Sequence, residues 1–224
     1  MTLTARAITL SYGSDEVLRS VDVQLAPAEV VALTGPSGSG KSSLLYCLAG
    51  LVRPSSGSVR FDGRELTELS ADEAAAVRRA SFGFVFQQAE LVPELTLAEN
   101  VGLPLELVGS SRVDRRRRVA ELLERLGIGE ASRRRPDQVS GGQAQRAAVA
   151  RALAHRPAVV FADEPTGALD SENGREVLRA LIELAVDEGS AVLLVTHDHH
   201  VAAAAHRRVA LSDGRVVATI DGTT

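Results

Sequence analysis

Across 224 residues there is one cysteine, one lysine and no tryptophan. A single thiol, Cys47, cannot form an internal disulfide and fits a reducing compartment. Long apolar runs are missing too: none approaches the roughly 20 residues a membrane-crossing helix needs, so the chain is not expected to form a pore itself. Met1 to Leu10 lacks the apolar run of a signal peptide, so the chain reads as cytoplasmic. Neither repeats at solenoid spacing nor a low-complexity linker is present. Net charge is −4, which gives no overall attraction to nucleic acid or acidic lipid. Arg115 to Arg118 and Arg133 to Arg135 concentrate the positive charge, and the first run reads as a solvated helix face.

With 45% hydrophobic and 24% charged residues, the composition is that of an ordinary globular chain, long enough to bury a substantial core. Short β-branched runs at Glu29 to Thr34, Phe82 to Phe86, Ala158 to Ala162 and Ala191 to Thr196 each precede a turn signal. They are apolar throughout, which points to a mostly parallel sheet covered on both faces. Helical spacing falls between them: Leu44, Leu45 and Leu48 stop at Gly50, Val119, Leu122, Leu123 and Leu126 at Gly127, and Val177, Leu178, Leu181 and Ile182 near Gly189. Ser70 and Glu73 have the form of a capping box. Ser58 to Phe61 before Asp62-Gly63, and the pair Arg207 to Leu211 and Arg215 to Ile220 around Asp213-Gly214, predict hairpins. From about Glu90 to Ala154 strand signals are scarce, which predicts a helical insert. Cys47 reads as core filling, and His199, His200 and His206 do not form a metal set.

Gly35-Pro-Ser-Gly-Ser-Gly40-Lys41-Ser42 fits the G-x-x-x-x-G-K-[ST] phosphate loop and lies between a predicted strand and a predicted helix. Its glycines let successive N–H groups curl around phosphate oxygens, and because Pro36 has no N–H the cradle runs through Ser37, Gly38, Ser39 and Gly40. The helix N-terminus, with Ser43 in its first turn, adds partial positive charge. Lys41 supplies a full charge to the outer phosphates of ATP, and the Ser42 hydroxyl can join a Mg2+ shell. Asp163 and Glu164 follow the apolar run Ala158 to Ala162, where ligands sit in open α/β sheets. Asp163 suits the metal shell and Glu164 suits polarising an attacking water.

Val139-Ser140-Gly141-Gly142-Gln143 resembles the Leu-Ser-Gly-Gly-Gln signature of the ATP-binding-cassette (ABC) ATPases, and other landmarks of that family occur in order. Tyr12 matches the aromatic residue that stacks on adenine. Gln87, after Phe84-Val85-Phe86, matches the glutamine at the entrance to the helical lobe, able to reach magnesium and the lytic water. Ala168-Leu169-Asp170 matches the loop after the catalytic glutamate, and His197 in Thr196-His197-Asp198 the switch histidine. Val139 stands where leucine is usual and Ala144 where glutamine is common, neither among the phosphate-contacting positions.

The resemblance implies the P-loop fold of an ABC ATPase: a mostly parallel core with an antiparallel β subdomain and a helical subdomain. One ATP-binding domain would span residues 1–224, with the β subdomain and nucleotide core in 1–87 and 156–224 and the helical subdomain in 88–155. It implies ATP hydrolysis between two copies, Ser140, Gly141 and Gly142 of one meeting the γ-phosphate held by the other. It also implies an integral membrane permease-type subunit on a separate chain, docked near Gln87 and the helical lobe, and a place at the cytoplasmic face of the membrane. Pro165 to Asp170 resembles the branch of macrolide-efflux, lipoprotein-release, antimicrobial-peptide-resistance and cell-division ATPases. A soluble ABC ATPase acting on DNA or ribosomes is the rival, but its long coiled-coil insertions, zinc cysteines or paired cassettes are missing. A P-loop kinase would leave the signature unexplained.

Overall fold

Four of the apolar runs lie side by side as parallel strands in the computed structural model, which describes residues 2–197, 199–203 and 205–222. Asp198, read above as part of the histidine motif, lies outside those residues, and the side chains of His199 and His200 are not among those described. The strands are β3 (Val30–Thr34), β6 (Phe82–Val85), β7 (Val159–Asp163) and β8 (Ala191–Val195). With the hairpin β9 (Arg207–Ser212) and β10 (Arg215–Asp221) they form a sheet of order β10-β9-β3-β8-β7-β6. A smaller antiparallel sheet of order β2-β1-β4-β5 joins β1 (Leu3–Tyr12), β2 (Asp15–Leu25), β4 (Ser56–Phe61) and β5 (Arg64–Glu65).

Because side chains alternate across a strand, the parallel sheet feeds two cores. Val30, Ala32, Val160, Ala162, Val192 and Leu194 face one. Val31, Leu33, Val159, Phe161, Leu193 and Val195 face the other. The first core is covered by α3 (Leu97–Leu107), α4 (Arg112–Arg125), α5 (Gly141–Leu153), α6 (Ser171–Asp187) and α7 (His199–Ala203). Beneath the second lie α1 (Lys41–Leu48) and the antiparallel sheet. Burial on both faces is why these strands are apolar at every position. Cys47 is core filling, as read, and burial pushes its thiol up to about 12. The predicted capping box opens α2 (Ala71–Ser81): Ser70 Oγ accepts from Glu73 N at 3.3 Å and the Glu73 carboxylate accepts from Ser70 N at 3.0 Å.

The strands β1 and β2 do not appear in the sequence reading. Their core residues do alternate, but the period breaks where β1 and β2 change register around Ala7 and Ser20, which hold φ of 50° and 54°. Each irregularity inserts a residue and shifts the apolar set by one position.

All five phenylalanines form one chain of ring contacts. Phe61 meets Phe82 edge-on at 5.0 Å and Phe82 meets Phe161 edge-on at 5.2 Å. Phe161 then stacks with Phe84 at 5.5 Å, and Phe84 with Phe86 at 6.1 Å. The chain of rings runs from the small sheet to the residue before Gln87, so rigid, well-packed groups fix where β6 releases the backbone.

The solvated reading of the arginine run holds for Arg117 but fails for Arg118, which is 6% exposed. Its guanidinium donates to the carbonyls of Leu153 and Ala154 at 3.0 and 3.2 Å and pairs with Glu188 at 2.5 Å. It thereby satisfies the carbonyl end of α5 and ties α4 to the end of α6. Arg125–Asp187 at 2.9 Å and Arg146–Glu176 at 2.5 Å join the same helices to α6. His206 is exposed yet also has a structural task, its Nδ1 accepting the Val30 N–H at 2.9 Å. Removing one partner of a buried pair strands the other, so Arg118→Met should lower unfolding free energy by about 3 kcal/mol. Arg117→Met, at an exposed position, should change it by less than about 0.5 kcal/mol. Urea midpoints of the two variants check this.

Candidate active site

Parallel pairing aligns Leu33 with Val195 and Asp163 with Val195, so β3, β8 and β7 end at one level, with β6 beside them. The phosphate loop leaves β3 there, Gln87 follows β6, Asp163 and Glu164 end β7, and His197 follows β8. The crevice at the carboxyl ends of such strands is where open α/β sheets bind ligands.

The loop holds its shape through close backbone contacts. Gly35 has φ of 141°, and a Cβ there would lie 2.1 Å from the carbonyl oxygen of Leu211. Gly40 has φ of 98°, and a Cβ would lie 2.8 Å from Leu18 and 2.9 Å from the Val17 carbonyl. Ser39 lends its carbonyl to the Gly214 N–H at 3.3 Å. Lys41 is 8% exposed, its Nζ donating to the carbonyls of Gly35 and Pro36 at 2.9 Å each. The ammonium is thus held across the mouth of the loop. Gly40 caps α1 without a side-chain bond and the first turn holds no acidic residue, so its N–H groups and positive end are left to an anion.

Ser42 Oγ donates to Asp163 Oδ1 at 3.0 Å, and Tyr46 OH donates to Oδ2 at 3.1 Å. Ser42 and Tyr46 are four apart on α1 and share a face, a spacing that could have flagged Tyr46, which sequence reasoning missed. Burial and the adjacent Asp163 charge push the Tyr46 phenol above its ordinary value. Glu164 Oε1 lies 2.9 Å from His197 Nδ1. Glu164 also holds φ of 49°, while its N–H donates to Val195 at 3.0 Å and its carbonyl accepts from Gly167 at 3.0 Å. A non-glycine residue in that conformation costs about 1–2 kcal/mol, so these bonds hold the Glu164 backbone in a strained conformation. Ser42, Gln87, Asp163 and Glu164 line an open cleft of about 620 Å³, with Tyr46 and Phe86 on its walls. Gln87 packs on Gly167, where a Cβ would lie 2.9 Å from its amide nitrogen.

Other predicted residues lie elsewhere. Ser140 caps α5, its hydroxyl accepting the Gln143 N–H at 3.2 Å while Gln143 Oε1 accepts the Ser140 N–H at 3.1 Å. None of Ser140, Gly141, Gly142 or Gln143 lines the cleft, and Ser140 and Gly141 are exposed. Asp170 caps α6 beside this signature, and the Asn173 amide and N–H hold its carboxyl below the usual range. A Cβ on Gly142 would meet Asn173 at 3.7 Å, so the two helix starts abut. Tyr12 ends β1 at 55% exposure, on the hairpin whose Val17 and Leu18 touch Gly40.

A family profile described as ABC transporter matches residues 18–167. The chain belongs to the ABC transporter family. It is 51% identical over 221 residues to a macrolide export ATP-binding/permease protein MacB of Rhodopseudomonas palustris, covering 97% of this chain and 34% of that one. Against a pyoverdine export ATP-binding/permease protein PvdT of Pseudomonas savastanoi the identity is 48%, over 95% of this chain and 33% of the relative. The chain spans about a third of the length of these relatives. Among solved structures, the dimeric bacterial ABC transporter cassette MJ0796 superposes with TM-score 0.91 and 38% identity, covering 99% of each chain. A dimer of the same cassette in a post-hydrolysis state, bound to ADP and Pi, gives TM-score 0.90. The expected ABC ATPase fold and the macrolide-efflux branch are therefore right.

The loop geometry separates its glycines. Gly35→Ala must force a Cβ against backbone as well as adopt a strained φ, and should cost roughly 3 kcal/mol. Gly38, with φ of 78° and nothing within 4 Å, carries the strain alone, so Gly38→Ala should cost about 1 kcal/mol. Thermal melts of the two variants check the order.

Proposed function

We propose that the chain binds ATP with magnesium, closes as a two-fold pair around two nucleotides, and hydrolyses them to drive a membrane permease. The observation that carries this reading is the convergence of Lys41, the Ser42–Asp163 pair and the Glu164–His197 pair at the ends of three adjacent parallel strands. Lys41 and the N–H groups of Ser37 to Ser43 take the phosphates, and Tyr12 stands ready for the base. The Ser42 hydroxyl, an Asp163 oxygen and the Gln87 amide carbonyl are hard oxygen donors, suited to magnesium. When bound, that ion neutralises charge on the outer phosphates. Glu164, oriented by His197, accepts a proton from the attacking water as the bond to the γ-phosphorus forms and the leaving oxygen departs with ADP. Gln87 orients the same water.

The exposed signature fits a second copy. Ser140 presents its hydroxyl and Gly141 and Gly142 their N–H groups at the positive end of α5, with Gln143 and Asp170 shaping that edge. They do not face the chain's own cleft, so a head-to-tail pair would complete two sites, each from both copies. The dimeric relatives of the same fold support this arrangement.

The permease reading is supported by the export relatives, whose names join an ATP-binding part to a permease. Among the described residues no helix is long and apolar enough to cross a membrane. An open groove of about 520 Å³, lined by Ala75, Arg79, Phe84, Phe86, Pro104 and Leu107, runs beside the Gln87 loop onto α3. A permease seated there, on the same polypeptide or another, would feel movement of Gln87 and of a helical lobe comprising residues 88–155. In this reading the cassette works at the cytoplasmic face of a membrane, and the export relatives favour export over work on DNA or ribosomes.

Glu164→Gln should keep nucleotide affinity within about threefold while turnover falls by a factor on the order of 10² to 10⁴, the scale of losing a general base. Lys41→Ala should instead lose ATP binding, because the loop's only full positive charge is gone. A fluorescent ATP analogue reads binding and phosphate release reads turnover; normal hydrolysis by Glu164→Gln would remove the carboxylate from catalysis.

A further inference from the structure

Gln145 lies on α5, one and a half turns after its cap Ser140, and is 2% exposed. Its Nε2 donates to the Phe86 carbonyl at 2.8 Å and to the Pro165 carbonyl at 2.7 Å. Phe86 precedes Gln87, and Pro165 follows Glu164. One buried amide therefore uses both of its protons to clip the two loops that carry reacting side chains. Two turns further along α5, Arg151 donates to the Ala89 and Glu90 carbonyls at 3.0 and 2.6 Å, fastening the rest of the Gln87 loop to the same helix. An apolar side chain in place of Gln145 would leave the half-buried Phe86 and buried Pro165 carbonyls without these donors.

We propose that Gln145 is a positioning residue that couples the two composite sites, an inference that rests on the reading of the chain as a pairing ATPase. The first turn of α5 would meet the nucleotide held by the opposite copy. The same helix, through Gln145, sets Gln87 and Glu164 in its own cleft. A small shift of α5 as the signature seats on the partner's γ-phosphate is thus delivered to both loops at once. Occupancy of one site would thereby set the geometry of the other, a coupling that must be reciprocal in binding. A rigid helix with fixed backbone anchors is a physical route for such a shift, and mutation is the proper test of it.

Gln145→Met keeps volume and removes both protons. Steady-state ATP hydrolysis should show kcat reduced about tenfold or more with KM within about threefold, since loops misplaced by a fraction of an ångström harm chemistry more than binding. The Hill coefficient for ATP should exceed 1 in the unaltered chain and fall to 1 in Gln145→Met. Ser190→Ala is the structural control: it removes another buried bond to a carbonyl, Ser190 Oγ to Pro157 at 2.6 Å, at the opposite end of β7. It should lower the melting temperature comparably and leave kcat and cooperativity intact. If Gln145→Met does not fold, the comparison is read on Gln145→Asn, whose amide is one methylene too short to reach both carbonyls. Turnover per folded molecule equal to that of the unaltered chain, an unchanged Hill coefficient, or an equal kcat loss in Ser190→Ala would each overturn the proposal. An unaltered chain that hydrolyses no ATP would instead fault the ATPase reading itself.

Discussion

Parallel pairing of β3, β8, β7 and β6 carries four chain segments to one edge of a buried sheet, and each arrives with a different chemical group. The register that sets Leu33, Val195 and Asp163 level is held by backbone hydrogen bonds between strands buried on both faces. It cannot slip without turning each strand's apolar set to the wrong core. The Ser42–Asp163 and Glu164–His197 contacts follow from that alignment, since their partners come from elements with no sequence proximity. Strain at Glu164 and the close approach of Gly35 to Leu211 are tolerated because the surrounding sheet over-determines them.

Two further devices hang on this frame. The phenylalanine chain runs through β6 and β7 and fixes the exit of the backbone towards Gln87. The signature helix α5 is gripped at its carbonyl end by Arg118 and tied to α6 by the Arg146–Glu176 pair, while its positive end is left exposed. The same helix that carries Ser140 at its exposed start therefore also holds the loops of Gln87 and Glu164. In the proposed function, this helix would connect outward contacts with a second copy to the chemistry of the cleft.

Much of this was legible in the sequence where a local pattern carries its own physics. The phosphate loop, the capping box at Ser70 and the apolar parallel strands depend on spacing and residue type alone. What escaped depends on tertiary placement. β1 and β2 were hidden because irregularities at Ala7 and Ser20 break their period. Arg118 lay inside a charged run whose composition does not reveal which member turns inward to cap α5. Tyr46 and Gln145 carry no signal beyond helical spacing, since their partners, Asp163 for one and the Phe86 and Pro165 carbonyls for the other, are distant in the chain.

The proposed site is completed by a second copy, and mass in solution tests that most directly. Light scattering on Glu164→Gln at high protein concentration, with saturating ATP and magnesium, should give twice the 23.6 kDa of one chain. Without nucleotide the mass should return to that of one chain. Adding Ser140→Arg in the same background should abolish the pair while ATP still binds. A single-chain mass at saturating ATP, or a pair indifferent to both ATP and Ser140, would contradict the composite site.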